Sequence, residues 1–176
     1  MKKLIALTML SALLLSACQG EDLQGSFGKP TKVWTMELAA ASPSGTRTVS
    51  SSDEVLLFDL TLPQKNVLAV GSTFQVYFMT DSDLDPLADG TVVSLKADGS
   101  TIGTGTFTLV DPTIPSEGSA LITTTSAVSL KAGKTMTFTV LADTATILAE
   151  DAGVDDNVSV SVEYNGKNIT GNSLRY

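Results

Sequence analysis

The sequence predicts an all-β protein, an antiparallel β-sandwich of about eight or nine short strands. Three observations lead there. Past an apolar leader, the chain is a series of short segments in which apolar and polar residues alternate, the period that lays one face of a strand on a core. Clusters of Gly, Pro, Asn, Asp and Ser punctuate those segments. Beyond the leader no stretch carries a convincing 3.6-residue apolar period, so helices have little share in the fold.

The first strand begins near Lys32, with Trp34, Met36 and Leu38 on one face and Val33, Thr35 and Glu37 on the other. Residues 41–53 are open to two readings: a second linker, or a kinked edge strand split at Ser42-Pro43-Ser44-Gly45, which suits a single sandwich better. Core strands follow at 55–62 and 73–80, rich in aromatic and branched side chains, with Pro63 and Gly71 between them. Residues 91–97 and 100–109 make a hairpin about Asp98-Gly99, a pair that tolerates the positive φ of a primed turn. Gly103 and Gly105 point to a bulge or to a close approach of backbone. Further strands are expected at 120–125, 135–141 (Met136, Phe138 and Val140 inward) and 157–164 (Val158, Val160, Val162 and Tyr164 inward). Asn165-Gly166 then turns the chain into a last strand over 169–176. Asp143 is placed to cap a short helical turn over 143–150.

The leader itself carries an address. Lys2 and Lys3 precede an apolar run over 4–15 of secretory length, too short to span a bilayer comfortably. Leu15-Ser16-Ala17-Cys18 follows at once and resembles the bacterial lipobox, in which the Cys thiol takes a diacylglyceryl group before cleavage on its amino side. That resemblance implies a signal over 1–17 cut between Ala17 and Cys18, lipidation of Cys18, and acyl chains as the membrane partner. Gln19 lacks the Asp that typically retains such proteins in an inner membrane, which implies an outer-membrane or surface location in a two-membrane cell. Residues 18–31, polar and Gly-rich, read as lipidated Cys and flexible tether, and 32–176 as the sandwich domain. After cleavage about 159 residues remain, enough for one domain with a real core.

Composition narrows the function classes. The net charge of −8 becomes −10 when Lys2 and Lys3 leave with the signal, so nucleic acid is an unfavourable partner and a cation or basic surface a natural one. There is no His, and the single Cys is spoken for. The usual zinc ligands, a Cys nucleophile and a Ser-His-Asp triad are therefore excluded, and no disulfide is available to the fold.

Several strand and turn patterns together carry a family likeness: Phe58-Asp59-Leu60-Thr61, Val93-Ser94-Leu95 with Asp98-Gly99, Ala132-Gly133-Lys134-Thr135-Met136 running on to Val140, and Asn157-Val158-Ser159-Val160. Over about residues 54–176 the chain resembles immunoglobulin-like repeats of bacterial surface, S-layer-like and adhesin proteins. The resemblance implies an immunoglobulin-like antiparallel β-sandwich and a structural or adhesion-type binding role. Such repeats usually come in many copies, whereas a single copy without internal period is present here.

Candidate sites are few. Asp81, Asp83, Asp85 and Asp89 alternate as an oxygen-rich calcium loop would have them, yet Pro86 stands where such a loop turns on Gly and Val92 where it ends on Glu. A solvated acidic loop is the plainer reading. A second acidic run, 150–156, would lie at the opposite end of an immunoglobulin-like sandwich and so not share a site with the first. Trp34, Tyr77, Tyr164 and Tyr176 offer a stacking platform for sugars, although alternation buries three of the four. Asn157-Val158-Ser159 and Asn168-Ile169-Thr170 match the glycosylation sequon by chance in a bacterial lipoprotein. The expectation is a non-catalytic, lipid-tethered envelope protein displaying a binding or structural surface to a protein or glycan. The alternative is a carbohydrate-binding module or an accessory subunit of an envelope complex. A hydrolase using paired carboxylates has nothing to fix two acids at a catalytic separation.

Overall fold

Alternation becomes a folded sheet because each strand has a greasy side to hide. In a computed structural model, which describes residues 34–80, 86–110, 117–147 and 157–176, thirteen strands are present among the described residues. They are β1 (Thr35–Leu38), β2 (Gly45–Thr46), β3 (Asp53–Thr61), β4 (Asn66–Leu68), β5 (Thr73–Thr80), β6 (Val92–Ala97) and β7 (Ser100–Leu109). The rest are β8 (Glu117–Thr124), β9 (Val128–Leu130), β10 (Thr135–Ala142), β11 (Asn157–Tyr164), β12 (Lys167–Thr170) and β13 (Leu174–Arg175). The protein is all-β and sandwich-like, as expected, but with more strands than eight or nine.

Eleven of the strands form one curled sheet in the order β1-β3-β10-β6-β7-β8-β5-β11-β13-β2, with β12 pairing β11. All its pairings are antiparallel except the last, β13 with β2. The sheet folds back on itself, so that Phe74 of β5 packs against Phe58 of β3 and Phe138 of β10, far from it along the strand order. Phe58, Leu60, Phe74, Val76, Phe78, Leu95, Phe107, Ile122, Phe138, Val140 and Val160 are fully buried between the layers.

β7 is the strand that serves both layers. It pairs with β6 along Ser100–Thr106 and with β8 along Gly103–Leu109, and a register shift at Leu95/Lys96 marks the bend. A Cβ at Gly103 would lie 2.6 Å from the Thr123 carbonyl oxygen, which explains why both expected features, a bulge and a close backbone approach, meet here.

The two strands the alternation missed, β4 and β9, pair with each other as a separate ribbon. This ribbon closes one end of the core with Leu68 and Leu130, both buried. The expected edge strand over 41–53 exists as β2, two residues long and last in the sheet order. The expected last strand over 169–176 is split in two: Gly171 adds one more bond to β11 beyond β12, its N–H to the Val160 carbonyl, passes against Leu56, and pairing resumes only at Leu174 across from Val158. Asp143 does cap a short 3₁₀ helix, Thr144–Thr146, its carboxylate accepting from the Ala145 N–H at 3.1 Å. Asp98 (51°) and Gly99 hold the positive φ foreseen for their turn, and Asn165 (48°) and Gly166, expected to close the last hairpin, hold it too.

Substituting Gly103→Ala should push β8 off β7 and cost about 1–3 kcal/mol of unfolding free energy, read from urea melts. Phe138→Ala, which empties the middle of the core, should cost about 3–5 kcal/mol in the same assay.

Candidate functional site

The strand registers sort the loops into two ends. Asp53 pairs with Ala142, Ala142 with Val93, Val158 with Thr80, and Met79 with Glu117, so all of these lie at one end of the sandwich. The residues that flank both acidic runs are at this end too: Thr80 before 81–85, Asn157 next to Val158 after 148–156, and Pro86 and Ile147 beside the Ala88–Thr146 and Thr91–Thr146 hydrogen bonds. The two runs therefore spring from the same end. The expectation that they lie at opposite ends fails because the strand order departs from the one assumed for it.

Of the four candidate calcium ligands, Asp81, Asp83 and Asp85 fall outside the described residues, as do all four acids of the second run. Asp89 is described and exposed, in the turn before Thr91. It lines an open cleft of about 540 Å³ together with Ser51, Thr91, Ser94, Asp143 and Thr146. Two hydroxyls of its lining are tied to each other and to backbone. Thr91 Oγ1 donates to the Ala88 carbonyl at 2.6 Å and stands 3.2 Å from Thr146 Oγ1, which donates to the Asp143 carbonyl at 2.7 Å. Thr144, buried, bonds back to the Ser50 carbonyl. Asp89 and Asp143 give the cleft two carboxylates; among the described residues no three acidic side chains converge on one point.

A charged clasp that the sequence did not reveal stands beside it. Asp53, 5% exposed, takes two hydrogen bonds from the Arg47 guanidinium, Nε to Oδ2 at 3.1 Å and Nη2 to Oδ1, and a third from the Tyr176 hydroxyl at 2.7 Å. Burial pushes the Asp53 carboxyl up, but the hydrogen bonds from Arg47 and Tyr176 outweigh it and hold the group below the usual carboxylate range. Burial and the Asp53 charge push the Tyr176 hydroxyl well above an ordinary phenol. The clasp is structural in its geometry: every polar atom of the carboxylate points at a partner, and the ion pair ties β2 to the start of β3.

The aromatic platform does not form. Tyr164 stacks on Phe74 with ring centres 4.4 Å apart, Trp34 meets Tyr164 edge-on at 5.9 Å, and Trp34, Tyr164 and Tyr176 all pack on the core. Tyr77 alone of the four faces outward, in alternation with buried Val76 and Phe78. On the same outer face stand Met79 and Leu121, each about half exposed, with Val110 at the end of β7. Between them lie small neighbours: Ser119 and Ser161 flank Tyr77 by register. A shallow trough runs there, lined by Tyr77, Met79, Val110, Glu117, Gly118 and Asn168. An outward Met and Leu in strands otherwise faced with Ser, Thr and Gln is a signal the sequence did contain, since the same alternation that buries Phe78 exposes Met79.

No family model matches the chain, and no curated protein matches it. Among solved structures it is similar to the collagen-binding subdomain of the Enterococcus faecalis surface protein ACE, at 10% identity and a TM-score of 0.31, over 84% of this chain and 99% of that one.

Protonating Asp53 dismantles the clasp. Its folded pKa lies below its unfolded one, so its contribution is complete above the ordinary carboxylate range and disappears as pH falls through the folded value. Asp53→Asn should cost about 1–3 kcal/mol at neutral pH and flatten the acid limb of stability against pH, measured by urea melts from acid to neutral. Tyr176→Phe should remove the corresponding loss on the alkaline side, where the raised phenol pKa makes its contribution complete below the ordinary value and lost above the folded one.

Proposed function

We propose that the chain is a non-catalytic envelope lipoprotein, anchored by acyl chains on Cys18 after removal of residues 1–17, whose sandwich presents a surface for an adhesion-type protein partner. The observation that carries the binding half is the outer face of β8, β5 and β11. There Tyr77, Met79 and Val110 line a trough with Gly118 and Ser161, Leu121 stands farther along the same face across from Gln75, and among the described residues no strand covers them. Apolar side chains gathered on one exposed sheet face are what a protein partner buries, while scattered ones carry no such meaning.

Protein is favoured over glycan as the partner class because sugar recognition on a sheet relies on exposed aromatic rings, and three of the four candidate rings are packed on the core. A catalytic role lacks support among the described residues, whose one deeply buried carboxylate, Asp53, is committed to Arg47 and Tyr176. The anchoring half rests on the sequence: the charged start, the apolar run and Leu15-Ser16-Ala17-Cys18 in that order.

Cys18→Ser should abolish incorporation of labelled palmitate and move the protein from the membrane to the soluble fraction. Persisting label would remove Cys18 as the anchor. Cells displaying the protein should adhere to protein-coated surfaces and give no signal on glycan arrays. Met79→Glu with Leu121→Glu should weaken adhesion by about tenfold or more, at unchanged melting temperature. Glycan binding that depends on Tyr77 would instead establish the carbohydrate-binding alternative.

A further inference from the structure

The end of the sandwich opposite the acidic runs has its own chemistry. β4 and β9 close it, and their register sets Asn66 across from Leu130, so Lys65 and Lys131, the next residues out, emerge side by side. Lys134 follows one turn later, where the Lys134 N–H bonds the Lys131 carbonyl and the Gly133 N–H bonds the Leu62 carbonyl. All three lysines are exposed. At the same end stand two apolar side chains that the core does not use, Val67 in β4 at 49% and Val70 just after it at 62% exposed. Lys167 lies at this end too, but is engaged: its Nζ donates to the Trp34 carbonyl at 2.6 Å and sits 4.3 Å from the centre of the indole.

The chain also enters the domain here. Thr35 pairs with Thr61, the residue before Leu62, so the segment leading back to Cys18 leaves from beside the lysines. Among the described residues the acidic side chains toward this end are Asp98 and Glu163, with Glu37 and Asp59 farther up β1 and β3. At the other end the described charges are Asp53, Glu54, Asp89, Glu117 and Asp143 against Arg47 and Arg175, and the three segments that connect its strands add eight more acids in sequence. The negative net charge is thus separated along the strands. A chain that anionic lipid repels as a whole is attracted by one end of it.

We propose that the end bearing Lys65, Lys131, Lys134, Val67 and Val70 seats on an anionic lipid surface and stands the sandwich upright, its acidic end outward. The proposal rests on the anchoring proposed above, which holds this end within reach of the bilayer. Lysine ammonium groups meet the headgroup phosphates while the two valines reach the acyl boundary, the usual pairing for interfacial contact. Seated so, the face of Tyr77, Met79 and Leu121 stands perpendicular to the membrane, open to a partner from the side.

Trp34 is the only tryptophan of the chain and lies at the seated end, so it reports the contact directly. The full acylated protein, purified from membranes, would be reconstituted into vesicles of phosphatidylcholine alone or with about 30 mol% phosphatidylglycerol, each carrying bromine-labelled lipid. Quenching of Trp34 should be at least about threefold greater with phosphatidylglycerol at low salt, and the two should converge near 0.5 M salt. The combined Lys65→Glu, Lys131→Glu and Lys134→Glu variant should lose the difference, and Val67→Asp should reduce it. Equal quenching of the unsubstituted protein in both vesicles would overturn the proposal. The mass of the purified protein reports acylation separately. Should Cys18 prove unmodified, co-sedimentation of the same chain with the two vesicles decides the docking alone: salt-sensitive binding to phosphatidylglycerol upholds it and its absence overturns it.

Discussion

Apart from the chain itself, what holds the two layers face to face is a run of aromatic rings. Phe58 and Phe138 stack at 5.3 Å within one layer, Phe74 of the other leans on both, Tyr164 stacks on Phe74, and Trp34 closes on Tyr164 from just before the first strand. Offset and edge-on geometry gives each pair a preferred angle as well as a buried area, so the run fixes how the layers lie on one another and not only that they adhere. The single Cys leaves no disulfide within the chain to share this task. Because the rings are spent on the core, the outer faces are left to Ser, Thr, charged residues and a few apolar side chains, and it is there that any partner must be met.

The same division explains which parts of the structure could be read in the sequence. β5 and β11 were legible to the residue because eight alternating positions leave one register for the buried set, and β7 because the Asp98-Gly99 turn fixed where it starts. β4 and β9 were not, since a period of two cannot declare itself in three residues, and their pairing depends on contacts some sixty residues apart. The Asp53 clasp joins residues separated by 6 and by 123 positions, and nothing local distinguishes this Asp from the solvated ones. The relative place of the two acidic runs depended on strand order, which turn chemistry does not encode. Alternation did encode the outward apolar face, in Met79 and Leu121, though without the neighbouring strands there was no telling that the two share it.

Three regions of the surface thus carry different chemistry on one frame: an acidic end, a lysine-bearing end and an apolar side. None of them depends on the side chains that make the core, which face the other way along the same strands. Such independence suits a scaffold whose surface can change while its fold persists, since Met79 and Lys131 are themselves exposed. The clasp at Asp53 is the exception, a polar group drawn inside to fasten a strand too short to hold itself.

β1 lies beside β3 in antiparallel register from Thr35 to Leu38, and the chain reaches it from the end where Thr61 sits. A pull on the preceding segment, directed out of that end, therefore runs along the axis of β1. Its hydrogen bonds to β3 are strained together and must break together, where a pull across the strand would open them one after another like a zip. Lys167, gripping the Trp34 carbonyl just ahead of the strand, takes up load before β1 does. The entry of the chain into β1 is thus built in the shearing sense, which is the mechanically resistant one.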